Sequence, residues 1–164
     1  MESLPTEWAI FVVPNMMYLL FLLTLLQSTP SDPAKWMFSA EPSADGIVNV
    51  QLQATLEEGW HLYSISLPSD QGPIATSFTF KQTNDWVASG ELIEPEPVEE
   101  YDINFAMDVR HHSGSPVFVL PIKRATNDAF NVEGELEYMV CNDKTCLPPK
   151  VVPFSIVVPA SSAK

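Results

Sequence analysis

Two cysteines, Cys141 and Cys146, are the residues of this chain with the most distinctive chemistry. They are its only cysteines, and four residues separate them. The intervening Asn-Asp-Lys-Thr stretch is typical of a hairpin loop. Residues that flank such a loop can face each other with Cα atoms about 4.5–5.5 Å apart, a separation that suits a disulfide. We therefore expect the two sulfurs to pair.

The residues alone leave two roles open for this pair, a structural disulfide and a redox site. A loop this short contributes only about 2 kcal/mol in the chain-entropy model, and a short, exposed disulfide is the more easily reduced kind. Alternation along Val132–Cys141 places Cys141 with Glu133, Glu135 and Glu137 on the outward face. An accessible sulfur is therefore predicted, unless a β-bulge reverses the alternation.

A metal site is the third alternative. His61, His111 and His112 are the chain's histidines, and a zinc site needs four ligands. Cu(I) would suit the soft cysteine sulfurs together with a residue such as Met139. The cysteine spacing is long for a zinc knuckle, so we predict no metal and no bound cofactor. Metal handling stays open as an alternative function.

The N-terminal segment predicts export. Residues 8–26 carry no charge and are mostly apolar, which fits either a cleaved secretory signal or a membrane anchor. We expect residues 1–29 to be this signal or anchor and residues 30–35 to be a tether. The predicted location is the periplasm, with membrane contact only through the N-terminal segment.

The charge of the chain excludes one class of partner. The formal net charge is −13, whereas nucleic-acid binding requires a positive field. No nucleic acid is therefore expected. The acidic residues are densest between positions 91 and 102, and this run predicts a solvated loop.

Alternation and turn residues predict an all-β fold. Between Val48 and Leu56, apolar and polar residues alternate, which indicates a half-buried strand. Fifteen prolines argue against long helices. Several short strands at this spacing predict a two-sheet sandwich over residues 36–158, followed by a tail at 159–164. Further strands are predicted at Lys35–Ala40, Ile74–Lys81, Trp86–Ile93, Met107–His112, Val117–Arg124, Val132–Cys141 and Val151–Val158.

Four stretches together resemble a known family. Tyr138–Ile156 contains the two cysteines and a following Leu-Pro-Pro, and Glu58–Tyr63 reads Glu-Gly-Trp-His-Leu-Tyr. Pro97–Phe105 is acidic and aromatic, and Val119–Ile122 follows it as a strand. These stretches are similar to the N-terminal periplasmic domain of the DsbD-type thiol–disulfide interchange reductase, the disulfide bond corrector domain family. The resemblance spans residues 36–158.

The resemblance implies a fold and an activity. The fold would be an immunoglobulin-like sandwich. Cys141 and Cys146 would exchange electrons as a dithiol and a disulfide, as one component of a protein-disulfide reductase. Electrons would come from a thioredoxin-like partner or a membrane electron carrier, both supplied by separate proteins, and would pass to disulfide-containing periplasmic substrates. The alternative is the same sandwich with an inert disulfide, acting as a binding module through its acidic loop or a strand edge.

The resemblance also implies roles for residues around the cysteines. An aromatic cap would be Tyr101 or Phe105, and Glu100 and Asp102 would be the acidic residues that assist proton transfer. The remaining residues expected to flank the site are Trp60, Tyr63, Pro148 and Pro149.

Overall fold

The computed structural model describes residues 32–43 and 46–161. Eleven strands lie in these residues, and no α-helix does. The strands are β1 (Ala34–Pro42), β2 (Ile47–Leu56), β3 (His61–Tyr63), β4 (Ser77–Phe80), β5 (Trp86–Ala88), β6 (Val98–Asp102), β7 (Met107–Ser113), β8 (Val117–Arg124), β9 (Phe130–Tyr138), β10 (Val140–Cys141) and β11 (Lys150–Val158).

The strands form three antiparallel sheets that together make an immunoglobulin-like sandwich. The first sheet has the order β1-β2-β8-β5, the second β10-β3-β7-β6, and the third β11-β9-β4. The all-β class and the sandwich predicted from the sequence are confirmed.

The main hydrophobic core lies between the sheets. The predicted alternation in β2 is present, because Val48, Val50 and Leu52 are buried while the polar residues between them are partly exposed. These side chains pack in one cluster with residues of the other two sheets, such as Leu62 and Leu136. Burying this apolar surface contributes about 25 cal/mol per Å² and is the main force that holds the sheets together.

Strands β3 and β10 of the second sheet contribute residues to buried clusters on both faces. Successive residues of a strand point to opposite faces. In β3, Leu62 packs into the main core, while Tyr63 packs into a smaller cluster with Val109 and Cys141. The face opposite the main core therefore carries the sulfur of Cys141.

The predicted strand Val132–Cys141 is two strands. It pairs with β11 and β4 in the third sheet up to Tyr138 and breaks at Met139, and β10 then pairs with β3 in the second sheet. The prediction of an outward-facing Cys141 is wrong, since this residue is fully buried. The change of sheet at Met139 resets the alternation on which that prediction depended.

The acidic run is also more ordered than predicted. Val98–Asp102, expected to be loop, forms β6 and pairs with β7, and Asp102 is buried. Conversely, the strand predicted at Trp86–Ile93 keeps its regular pairing only over β5, with an isolated bridge between Ile93 and Val119.

The predicted export segment, residues 1–29, lies outside the described residues, as does the end of the predicted tail. Among the residues that are described, no helix is long and apolar enough to cross a membrane.

Candidate thiol–disulfide site

Cys141 and Cys146 form a disulfide across a tight hairpin. Their Cα atoms are 4.1 Å apart, and the two residues form an antiparallel bridge. The Asn142 amide donates a hydrogen bond to the Thr145 carbonyl at 2.9 Å. The Asn142 side-chain oxygen accepts from the amides of Lys144 and Thr145 at 2.9 and 3.0 Å. An Asx turn therefore closes the four-residue loop and holds the cysteines opposite each other.

The two sulfur-bearing residues differ in accessibility. Cys141 lies in the smaller cluster and has no exposed surface, whereas Cys146 packs at the edge of that cluster and is partly exposed. An incoming nucleophile can therefore approach Cys146 more easily than Cys141.

The turn after β6 covers the buried face of the second sheet. Asp102 ends the strand, and its Oδ1 accepts hydrogen bonds from the amides of Asn104 and Phe105 at 2.7 and 3.3 Å. Phe105 packs against the cluster that contains Cys141, and its ring meets that of Tyr63 edge-on at 6.0 Å. Ala106 completes the turn with a φ of 54°, in the left-handed region. We call residues 102–106 the cap turn.

A single hydrogen bond joins the cap turn to the cysteine hairpin. The Asn104 side-chain amide donates to the Asn142 carbonyl at 3.0 Å. Both residues are at the rim of a polar cleft, which Tyr101, Ile103 and Asp143 also line. Because this bond lies at the surface, breaking it costs little free energy. The packing of Phe105 on the cysteine cluster also holds the cap turn in place.

Tyr63 and Asp102 form a buried pair beneath the cap turn. The Tyr63 hydroxyl donates to Asp102 Oδ2 at 2.5 Å. Burial, followed by this hydrogen bond and the carboxylate charge, holds the pKa of Tyr63 well above its usual value. Burial alone would raise the pKa of Asp102. The hydrogen bonds from Tyr63, Asn104 and Phe105, together with His61, outweigh burial and lower it. Asp102 is therefore an anchored carboxylate at neutral pH.

Two histidines stand beside this pair. His61 Nε2 lies 3.4 Å from the Tyr63 hydroxyl and 3.7 Å from Asp102 Oδ2. The His111 ring is 4.7 Å from the His61 ring, and its Nε2 contacts Glu100 Oε2 at 3.2 Å. Burial, and then His111, lower the pKa of His61, while Asp102, Asp143 and Glu100 oppose that shift.

The structure brings together only some of the predicted site residues. Phe105 packs on the cysteine cluster, whereas Tyr101 is 57% exposed at the cleft rim, so Phe105 is the aromatic residue of the cap. Trp60 packs on the main core, and Pro148 and Pro149 are exposed after the hairpin.

Sequence reasoning missed the placement of His61, His111 and Asn104 around the polar cleft. His61 precedes Tyr63 by two residues in the short strand β3 and therefore shares its face. This two-residue spacing could have predicted the shared face from the sequence, once Glu58–Tyr63 was taken to lead into a strand. Asn104 and His111 gave no such signal, because their contacts depend on the pairing of β6 with β7.

No cluster of three or more His, Cys, Asp or Glu residues that could hold a metal occurs within residues 32–43 and 46–161. Both cysteines are already joined in the disulfide, and no free cysteine is present. In this state the two sulfurs are not available as the soft ligands that Cu(I) would require.

Comparisons with known proteins show the family of the chain. The sequence profile of the family "Thiol:disulfide interchange protein DsbD, N-terminal" matches residues 27–156. The comparison with curated proteins finds no match.

Two solved structures share the fold. The reduced DsbD N-terminal domain of Neisseria meningitidis aligns with a TM-score of 0.50 and 15% identity, over 76% of this chain and 86% of that one. The N-terminal periplasmic domain of ScsB from Proteus mirabilis aligns with a TM-score of 0.52 and 22% identity, over 81% of this chain and 51% of that one. This chain therefore spans about half of the ScsB domain. With the profile match covering most of its length, the chain belongs to the DsbD N-terminal domain family.

Proposed function

We propose that this protein is an exported thiol–disulfide interchange domain that relays electrons in the periplasm through Cys141 and Cys146. The family supports thiol–disulfide exchange in general. The observation that carries the specific proposal is the asymmetric disulfide, with a buried Cys141 and a partly exposed Cys146 in a hairpin that one surface hydrogen bond joins to the cap turn.

The asymmetry supports one order of attack in the exchange. A thiolate of a thioredoxin-like partner attacks Cys146 Sγ, and the disulfide electron pair leaves on Cys141. The partner's second thiolate then attacks the partner sulfur of the mixed disulfide and releases Cys146. The domain becomes a dithiol, the partner becomes a disulfide, and two electrons have moved.

The same order applies when the dithiol reduces a periplasmic substrate. The Cys146 thiolate attacks the substrate disulfide and forms a mixed disulfide. Cys141 then attacks Cys146 Sγ, which regenerates the disulfide and releases the substrate as a thiol. No bound cofactor is needed, since both electrons stay on sulfur throughout.

A trapping experiment tests this order. A thioredoxin whose second active-site cysteine is replaced by serine cannot resolve a mixed disulfide, and it is mixed with the full-length oxidised protein. Mass spectrometry of the proteolysed adduct should find the thioredoxin linked to Cys146. No peptide should link the thioredoxin to the buried Cys141.

The competing function is a binding module with an inert disulfide, and the full burial of Cys141 is the observation that favours it. Under that function, native oxidised protein would form no adduct with the trapping thioredoxin. Adduct at Cys141 would instead contradict the proposed order of attack.

A further inference from the structure

His61 and Cys141 are direct cross-strand neighbours. The register of β3 with β10 pairs the two residues, and directly opposed residues place their side chains on the same face, with Cβ atoms about 4.5–5.5 Å apart. Tyr63, two residues further along β3, packs in the cluster with Cys141, and its ring is 5.3 Å from the His61 ring. The imidazole therefore belongs to the buried surroundings of the less accessible sulfur.

The hydrogen bonds around His61 assign its tautomer. Tyr63 has one hydroxyl proton, which it donates to Asp102, so toward His61 the hydroxyl oxygen can only accept. Asp102, as a carboxylate, also only accepts. Both acceptors face His61 Nε2, at 3.4 and 3.7 Å. Nε2 therefore carries the proton of the neutral ring, and Nδ1 carries the lone pair.

Neither Tyr63 nor Asp102 can serve as a proton acceptor for the sulfur. Asp102 already accepts three hydrogen bonds, which lower its pKa, and Tyr63 keeps its proton because burial raises its pKa. His61 Nδ1 accepts no hydrogen bond from any side chain or amide in the described part of the chain. The arrangement of thiol, imidazole and orienting acid follows the logic of activated cysteine nucleophiles.

We propose that His61 takes the proton of the Cys141 thiol in the step that releases the reduced substrate. This inference rests on the proposed exchange function. As the S–H bond of Cys141 breaks, the proton moves to His61 Nδ1, and the sulfur electron pair attacks Cys146 Sγ. The bond between Cys146 and the substrate sulfur breaks, and the substrate leaves as a thiolate that takes the proton from the imidazolium. Without such an acceptor, burial would hold Cys141 as an unreactive thiol.

The charges that face His61 determine the pH range of this step. They come from His111 on β7, Glu100 and Asp102 on β6, Asp143 in the hairpin and the hydroxyl of Tyr63 on its own strand. Burial and His111 outweigh the acids, so that the pKa of His61 lies below its usual value and the ring is neutral at pH 7. The step should therefore be fully active at neutral pH and slow as the pH falls through this pKa.

A two-phase assay with Ellman's reagent measures the step directly. The reduced full-length protein releases one equivalent of coloured thiolate when Cys146 attacks the reagent. It releases a second equivalent when Cys141 resolves the resulting mixed disulfide. Both phases are followed by stopped flow from pH 5 to 9, in the wild type, His61→Gln and the matched control His111→Gln. Thermal unfolding of each variant verifies that it is folded.

The inference predicts that His61→Gln slows the second phase at pH 7 by at least about tenfold, since a general base typically contributes 10²–10⁴. The first phase should change by less than about twofold. The wild-type second phase should level off above neutral pH, whereas that of His61→Gln should keep rising with hydroxide. His111→Gln should keep the plateau of the wild-type profile, with its midpoint moved to higher pH because His111 lowers the pKa of His61.

Equal second phases in the wild type and His61→Gln would overturn the inference, and so would an equal loss in His111→Gln. If His61→Gln does not fold, the wild-type profile still decides, because a second phase that rises with pH without levelling off refutes a histidine acceptor. Failure of the exchange function itself would look different, since the folded oxidised protein would then resist reduction by dithiothreitol.

Discussion

The hydrogen bond between Tyr63 and Asp102 should couple the core of the site to the cap turn strongly enough to measure. Both side chains are buried, and Asp102 has 3% of its side-chain surface exposed. A hydrogen bond to a charged group contributes about 1.5–3 kcal/mol. Tyr63→Phe should therefore lower the free energy of unfolding by about 2 kcal/mol, because Asp102 Oδ2 loses the only donor that the described residues place within hydrogen-bonding distance.

A double-mutant cycle isolates this term. Asp102→Asn keeps the shape of the side chain and its bonds from the amides of Asn104 and Phe105, but it removes the charge. The coupling between Tyr63→Phe and Asp102→Asn should be about 1–2 kcal/mol, within the range for residues in direct contact. Urea unfolding of the oxidised wild type, the two single variants and the double variant gives the four free energies of the cycle. A loss of about 2 kcal/mol in the free energy of unfolding should move the urea midpoint by about 1 M.

The matched control is Tyr101→Phe, which removes a hydroxyl from a side chain that is 57% exposed. Its effect should stay within about 0.5 kcal/mol. A coupling below about 0.5 kcal/mol between Tyr63 and Asp102 would refute the claim that this bond holds the cap turn to the site.

The pair of Tyr63 and Asp102 also predicts how the free energy of unfolding changes at acid pH. The folded pKa of Asp102 lies below its unfolded value. Its contribution to stability is therefore complete above the unfolded pKa, about 3.9, and is lost as the pH falls through the folded pKa. The wild-type free energy of unfolding should drop more steeply below about pH 4 than that of Asp102→Asn. If the two proteins lost stability in parallel as the pH falls, the Asp102 carboxylate would make no pH-dependent contribution to stability.

Two further substitutions test the cap and the third sheet. Asn104→Ala removes the bond to the Asn142 carbonyl. It should speed native-state reduction by dithiothreitol by about 2- to 10-fold, the equivalent of 0.5–1.5 kcal/mol; an unchanged rate would mean that cap opening does not limit access. Gly134→Ala places a Cβ against the Thr79 carbonyl oxygen and 2.6 Å from Phe154 Cζ. It should lower the urea midpoint through about 1–3 kcal/mol of overpacking, and an unchanged midpoint would contradict that packing.

Local patterns predicted the parts of the fold that depend on local rules. The alternation in β2 follows from one buried and one wet face. The cysteine hairpin follows from four residues of turn type between two positions that must face each other. Both are properties of neighbouring residues, and no long-range information was needed.

The misplaced features depend on pairing between distant segments. β6 is paired with β7, with a cross-strand ion pair from Glu99 to Arg110 and a polar contact between Glu100 and His111. In the sequence alone, without the partner strand, Glu99 and Glu100 are typical of a solvated loop. Likewise, the orientation of Cys141 is decided where the chain changes sheets at Met139. No periodicity within Val132–Cys141 records that change.

The central claim is that the Cys141–Cys146 disulfide carries electrons, and its reduction potential tests that claim most directly. The full-length protein is equilibrated in glutathione buffers of known ratio, and its thiols are trapped and counted by mass. A potential of about −180 to −270 mV, the range of known exchange proteins, is the predicted result. A potential below about −300 mV, with the folded protein resisting reduction, would contradict the relay and identify a structural disulfide.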